Sequence, residues 1–158
     1  MPIDSKEQRR NHMLQNIVFQ DNIYQLARTA DLLKEGLLLD LAGDYFYDKF
    51  VDDILFLDVS IQKLSAQILS NSRISGYIAI LHSLRSCQER YIDLLTLVLS
   101  GKSGLSESFA NLLPKIQTIK NTHLALSAEI QKNIQKKDAN FDSRDMVSQN
   151  ELSELLHF

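Results

Sequence analysis

Asp21 and Gln25 stand one helical turn apart in the segment IVFQDNIYQLARTADLL, residues 17–33. A carboxylate and a primary amide at i and i+4 project together from one face of a helix. The amide can accept from and donate to one water at once. That suits it to orienting a nucleophilic water, as Gln does in GTP hydrolysis. The carboxylate can pair with a lysine of another protein. Set Phe19 at zero on a wheel of about 100° per residue: the apolar seam then stays within about 40° of zero, while Asp21 falls at about 200° and Gln25 at about 240°. The pair therefore faces away from the core. Spacing alone does not make it a site, because D-x-x-x-Q occurs four times, at Asp4/Gln8, Asp21/Gln25, Asp58/Gln62 and Asp145/Gln149.

The elements that would carry this pair are long helices. The chain has 158 residues, 44% hydrophobic and 23% charged, with Gly 5, Pro 2 and no Trp. That length suits one domain with a real core, and so few Gly and Pro leave few breaks. Apolar steps of four and three mark the first helix from Asp4 or Ser5, through Phe19, Ile23, Leu26, Ala30, Leu33 and Leu37. Gly36 and Gly43 bracket its end. A second helix, capped by Asp44, carries Tyr47, Phe50, Ile54, Leu57, Ile61, Leu64 and Ile68, and SNSRISG (70–76) breaks it. The third carries Tyr77, Leu81, Leu84, Tyr91, Leu95 and Val98, with Gln88 at its one weak step and Cys87 beside it. After the loop SGKSG, the fourth starts near Ser106 with Phe109, Leu112, Ile116, Ile119, His123, Leu126 and Ile130. Pro114 should kink it unless the helix starts later. These four helices predict an all-α, antiparallel four-helix bundle over 1–135. Helices this long can also pair between chains, which allows a homodimer.

Beyond Gln135 the pattern fails. KKDANFDSRDM (136–146) is charged and nearly free of core residues, and reads as a flexible linker. Apolar residues then return in VSQNELSELLHF (147–158). Ser148 and Glu151 match a capping box, and Leu152, Leu155 and Leu156 share one helical face. A short amphipathic helix of this kind either folds on a partner's groove or docks on its own bundle.

The net charge of −3 argues against nucleic acid as main partner. Lys132, Lys136 and Lys137 read as a solvated helix end. The single cysteine excludes an internal disulfide, and a reducing, cytoplasmic setting is expected. MPIDSKEQRR lacks the apolar core of a signal peptide, and the apolar runs are too short for membrane insertion. His, Cys, Asp and Glu show no metal-ligand spacing. DYFYDKFVDD (44–53) has its acids mostly off the seam, as a solvated face does. His123 falls in the fourth seam and is expected to be a hydrogen-bonded core histidine.

The flanks of the pair single it out among the four. FQDNIYQ (19–25) resembles the F-Q-D-x-x-x-Q segment of CheZ-type phosphatases, which dephosphorylate the chemotaxis response regulator CheY; the other three pairs lack the Phe-Gln lead-in. The resemblance implies that Gln25 orients the water attacking the regulator's phosphoaspartate and that Asp21 bridges to the regulator's lysine. The chain then needs no cofactor of its own, and the Mg²⁺ belongs to the partner. NELSELLHF (150–158) resembles the C-terminal CheY-binding helix of CheZ. SQNELSELL is also similar to the S-Q-x-E-I-D-x-L-L peptide by which FliM binds CheY. On that resemblance Gln149, Glu151, Leu152, Leu155, Leu156 and Phe158 bind the partner, with Leu152 in place of Ile and Ser153 in place of Asp. The match departs from CheZ in two ways. The motif lies on the first helix rather than the second of a long hairpin, and Ile23-Tyr24 replaces Thr-Gly. Tyr24, being bulky, is the residue expected to obstruct docking. A non-catalytic CheY-binding adaptor or flagellar chaperone would share the tail. HSLRSCQ (82–88) in turn resembles the H-x-L-K-G-S segment of histidine phosphotransfer domains, which implies His82 as phosphate acceptor with Arg85 assisting. The glycine-containing segment downstream in those domains is replaced here by ERYIDLL.

Overall fold

The computed structural model describes the backbone of residues 5–38, 44–100 and 111–156, and the side chains of 6–38 except His12, of 48–100 and of 111–136. The described residues form four helices and no strand: α1 (Ser5–Leu38), α2 (Asp44–Leu69), α3 (Tyr77–Leu99) and α4 (Leu113–Leu156). The all-α bundle expected from the apolar spacing is what forms. The seams become the core: Ile23, Leu33, Phe50, Leu57, Leu84 and Ile130 are all buried, as are most of their neighbours at the same steps. Tyr47, Phe109 and the loop after Ser100 lie outside the described side chains.

Helix directions alternate. Tyr91 on α3 donates its hydroxyl to the Ile54 carbonyl on α2 at 2.7 Å. The same two helices meet at the 70–76 turn, so they run antiparallel. Asn16 Nδ2 donates to the Ser75 carbonyl at 2.6 Å, and Asp31 pairs with Arg90 at 3.4 Å. Both partners are 59 positions apart, so α1 and α3 run in the same direction in constant register. They pack closely, and α3 packs closely on α4. Among the described residues α2 and α3 touch every other helix, while α1 and α4 do not meet. The cross-section is therefore a rhombus with α2 and α3 on its short diagonal. Among the described residues, one side of α1 has nothing packed against it.

Pro114 does not kink α4, because the helix begins at Leu113. In the first turn a proline loses no hydrogen bond the helix would have made. The backbone of α4 is helical through 136–146 and on to Leu156. From Lys115 onward the sequence has no Gly or Pro to stop a helix. The side chains of 137–158, which include Gln149, Glu151, Leu152, Leu155, Leu156 and Phe158, lie outside the described residues.

Gly76 caps α3 with φ 73° and ψ 28°, in the left-handed region. A Cβ there would stand 2.8 Å from Asn16 Nδ2, the atom that ties α1 to the turn. Gly76→Ala is expected to cost about 1–2 kcal/mol from the left-handed backbone alone. Urea unfolding measures this, and an unchanged midpoint would contradict it.

Candidate functional site

The unpacked side of α1 carries Asp21 and Gln25. Both are exposed, as the wheel predicts. Neither side chain has a hydrogen-bond partner among the described residues; the Gln25 backbone carbonyl accepts from Thr29 Oγ1 at 2.9 Å. A solvated helix face would surround such a pair with polar residues. Here Leu14, Ile17, Val18, Tyr24 and Leu32 share the face, each 51–61% exposed. Apolar side chains clustered on one surface stripe mark a contact site.

The pair straddles a crest between two grooves. Gln25 leans toward α2 and lines a groove of about 330 Å³ with Asn22, Thr29, Ser60, Lys63 and Gln67, walled by Phe56 and floored by Leu26 and Leu64. Steps of four, three and four put Phe56, Ser60, Lys63 and Gln67 on one flank of α2. Asp21 stays on the crest. Tyr24 lines the opposite groove, between α1 and α3. The residue expected to obstruct docking thus lies on the flank away from the groove that Gln25 lines. Phe56 and Val59 are exposed apolar residues off the α2 seam. That was the available sign of this groove, and periodicity alone passed over it.

The Asp58/Gln62 pair shows what the same spacing does in a structural role. Gln62 Nε2 donates to Asp58 Oδ1 at 2.7 Å, and the same oxygen lies 2.7 Å from His123 Nε2. His123 is fully buried, as expected of a seam histidine. Its Nδ1 faces Gln88 Nε2, which also donates to the His123 carbonyl at 3.0 Å. A backbone carbonyl can only accept, so the Gln88 amide presents N–H on this side and His123 Nδ1 accepts. The imidazole is therefore neutral, with its proton on Nε2 and directed at Asp58. The ring stacks edge-on against Tyr91 at 4.7 Å. Gln88, the weak step of α3, is thus explained by the polar member of the α4 seam.

Burial lowers the His123 pKa from 6.5, and the hydrogen bond and charge of Asp58 only partly oppose this. Above pH 6.5 both folded and unfolded chains hold the ring neutral. Below it the unfolded chain takes up a proton that the folded chain resists, so stability falls as pH drops through that value toward the lower folded one. Unfolding free energy measured from pH 7.5 to about 5.5 should show this slope in the wild type and lose it in His123→Leu. Equal slopes in both would contradict the assignment.

His82 is exposed and lines the α1/α3 groove, about 400 Å³, with Tyr24, Ser86 and Arg90. Arg85 is not brought into that groove; it pairs along α3 with Glu89 at 3.3 Å. The cation there is Arg90, already paired with Asp31. Cys87 is buried, and burial pushes its thiol up to about 12, Asp31 adding to the shift and Arg90 opposing it. A thiol held protonated is a poor nucleophile. Among the described residues no three His, Cys, Asp or Glu side chains converge as a metal site. No helix among them is long and apolar enough to cross a membrane.

No family model matches the chain, and no solved structure matches it significantly. A protein of Treponema pallidum (strain Nichols), named only "Uncharacterized protein", is 40% identical over 146 residues, covering 91% of this chain and 75% of that protein. The chain belongs to the same family as this Treponema pallidum protein.

Proposed function

We propose that the chain is a cytoplasmic phosphatase that removes phosphate from the phosphoaspartate of a CheY-like response regulator. The observation that carries this is the setting of the Asp21/Gln25 pair. Among the described residues the pair is unpartnered and uncovered, it is rimmed by exposed apolar residues, and its Gln25 opens onto a groove. That setting fits a pair used on another protein, whereas Asp58/Gln62 shows the same spacing used within the chain, with Asp58 turned to the buried His123. The sequence resemblance supplies the chemistry.

The regulator docks over α1, and Asp21 pairs with its lysine. Gln25 holds a water in line with the phosphorus. The water oxygen forms the new P–O bond as the bond to the aspartyl oxygen breaks. The carboxylate leaves with the electron pair, and the water's protons depart on the phosphate or to solvent. Mg²⁺ on the regulator neutralises phosphoryl charge. Catalysis comes from positioning and preorganised dipoles, with no covalent intermediate on this chain. The acidic, leucine-rich segment 147–158 captures the regulator and raises its local concentration at α1.

The test is phosphate release from a phosphorylated CheY-type receiver by wild type and Gln25→Ala. Loss of acceleration with binding kept supports the phosphatase; binding with no acceleration by either supports the adaptor instead. Phosphotransfer through His82 is less favoured, because Arg85 is directed to Glu89 rather than into the groove that His82 lines.

A further inference from the structure

The α1/α2 groove beside Gln25 holds more than a water-orienting amide. Among the described residues lining it, Lys63 alone is charged. Around Lys63 stand neutral hydrogen-bonding groups from both helices: Asn22 and Thr29 from α1, Ser60 and Gln67 from α2. Lys63 makes no ion pair with any described residue; the acid nearest in the chain, Asp58, is turned to His123 and Gln62. A lone cation among neutral donors is a setting for an anion, and Phe56 closes one side with an apolar wall. The groove offers a space of about 330 Å³. A phosphoryl group and its attacking water fit within it.

We propose that Lys63 is a second catalytic residue, whose ammonium contacts the phosphoryl oxygens while Gln25 holds the water. This rests on the phosphatase activity proposed above. As the phosphoryl group passes to water, charge spreads over its three equatorial oxygens. A Lys ammonium is a compact charge with three donors that meets such oxygens without a fixed geometry. Its attraction is strongest where the docked regulator excludes water from the groove. α1 then presents the water and α2 the cation, and the reacting group sits between two helices of one bundle. The bonds made and broken are those of the hydrolysis already described; Lys63 stays protonated throughout.

The experiment measures kcat and KM for phosphate release from a phosphorylated CheY-type receiver, using the full chain with Lys63→Ala, Lys63→Arg and Gln25→Ala. Lys63 is exposed on its helix, so these variants fold. Expected for Lys63→Ala is a fall in kcat of about 10- to 100-fold with KM within about twofold, and for Lys63→Arg recovery of most of the rate. A Lys63→Ala enzyme with wild-type kcat, alongside a dead Gln25→Ala enzyme, overturns the role of Lys63 and leaves the phosphatase standing. A change in KM alone does the same, because it makes Lys63 a docking charge. No acceleration by the wild type overturns both.

Discussion

His123→Ala is expected to lower the unfolding free energy by about 3–4 kcal/mol, because it opens a cavity and takes one hydrogen bond each from Asp58 and Gln88. His123 is fully buried, so removing its ring opens space inside the bundle. Asp58 loses the N–H at 2.7 Å, and Gln88 keeps only its bond to the backbone carbonyl. In a chain of this length such a loss moves the thermal midpoint down by roughly 6–16 °C, at about 2–4 °C per kcal/mol. Thermal unfolding followed by circular dichroism reads it, and a shift below about 2 °C would contradict the network's role.

Two further variants separate cavity from polarity. His123→Leu keeps the volume and removes the acceptor that Gln88 faces. It should cost about 1–3 kcal/mol. Adding Gln88→Leu removes the orphaned amide, including Oε1, which has no partner among the described residues. The double variant should therefore be less destabilised than the sum of the two singles.

On the proposed phosphatase activity, Gln25→Ala is the variant with the largest expected effect. Removing a group that positions the attacking water is expected to lower kcat by about 100-fold or more. KM should hold, since Asp21, the apolar rim and the C-terminal segment remain. The side chain is exposed and unbonded within the bundle, so stability should stay within about 0.5 kcal/mol of wild type. A fall in activity therefore cannot be ascribed to unfolding. Phosphate release under saturating receiver, with unfolding as control, measures both.

Much of this was legible in the sequence, and the reasons for the rest are physical. The seam from Ile23 to Leu37 placed Asp21 and Gln25 on the outer face because a wheel needs only periodicity. His123 and Gln88 were each visible as polar intrusions in apolar seams. Their pairing was not, since nothing local fixes which residue of α3 lies level with which of α4. Asp58 was hidden for a further reason. Its spacing to Gln62 matches that of Asp21 to Gln25, and only the packing of α2 on α4 separates a clamp from an open pair. Short connections predicted antiparallel neighbours. They could not predict that parallel α1 and α3 would pack closely while α1 and α4 stay apart. That arrangement leaves the crest of α1 uncovered among the described residues, while α2 puts Lys63 in the same groove as Gln25. In 136–146 a lack of core residues removes the signal for packing without adding one against the helix that the backbone forms there.

The central claim is that Gln25 acts on another protein's phosphoaspartate. The measurement that tests it most directly is single-turnover phosphate release from an aspartyl-phosphorylated CheY-type receiver, with wild type and Gln25→Ala at equal bound fraction. The predicted result is acceleration over the receiver's own decay by the wild type, and a return to that decay with Gln25→Ala. Equal rates for the two proteins would contradict it.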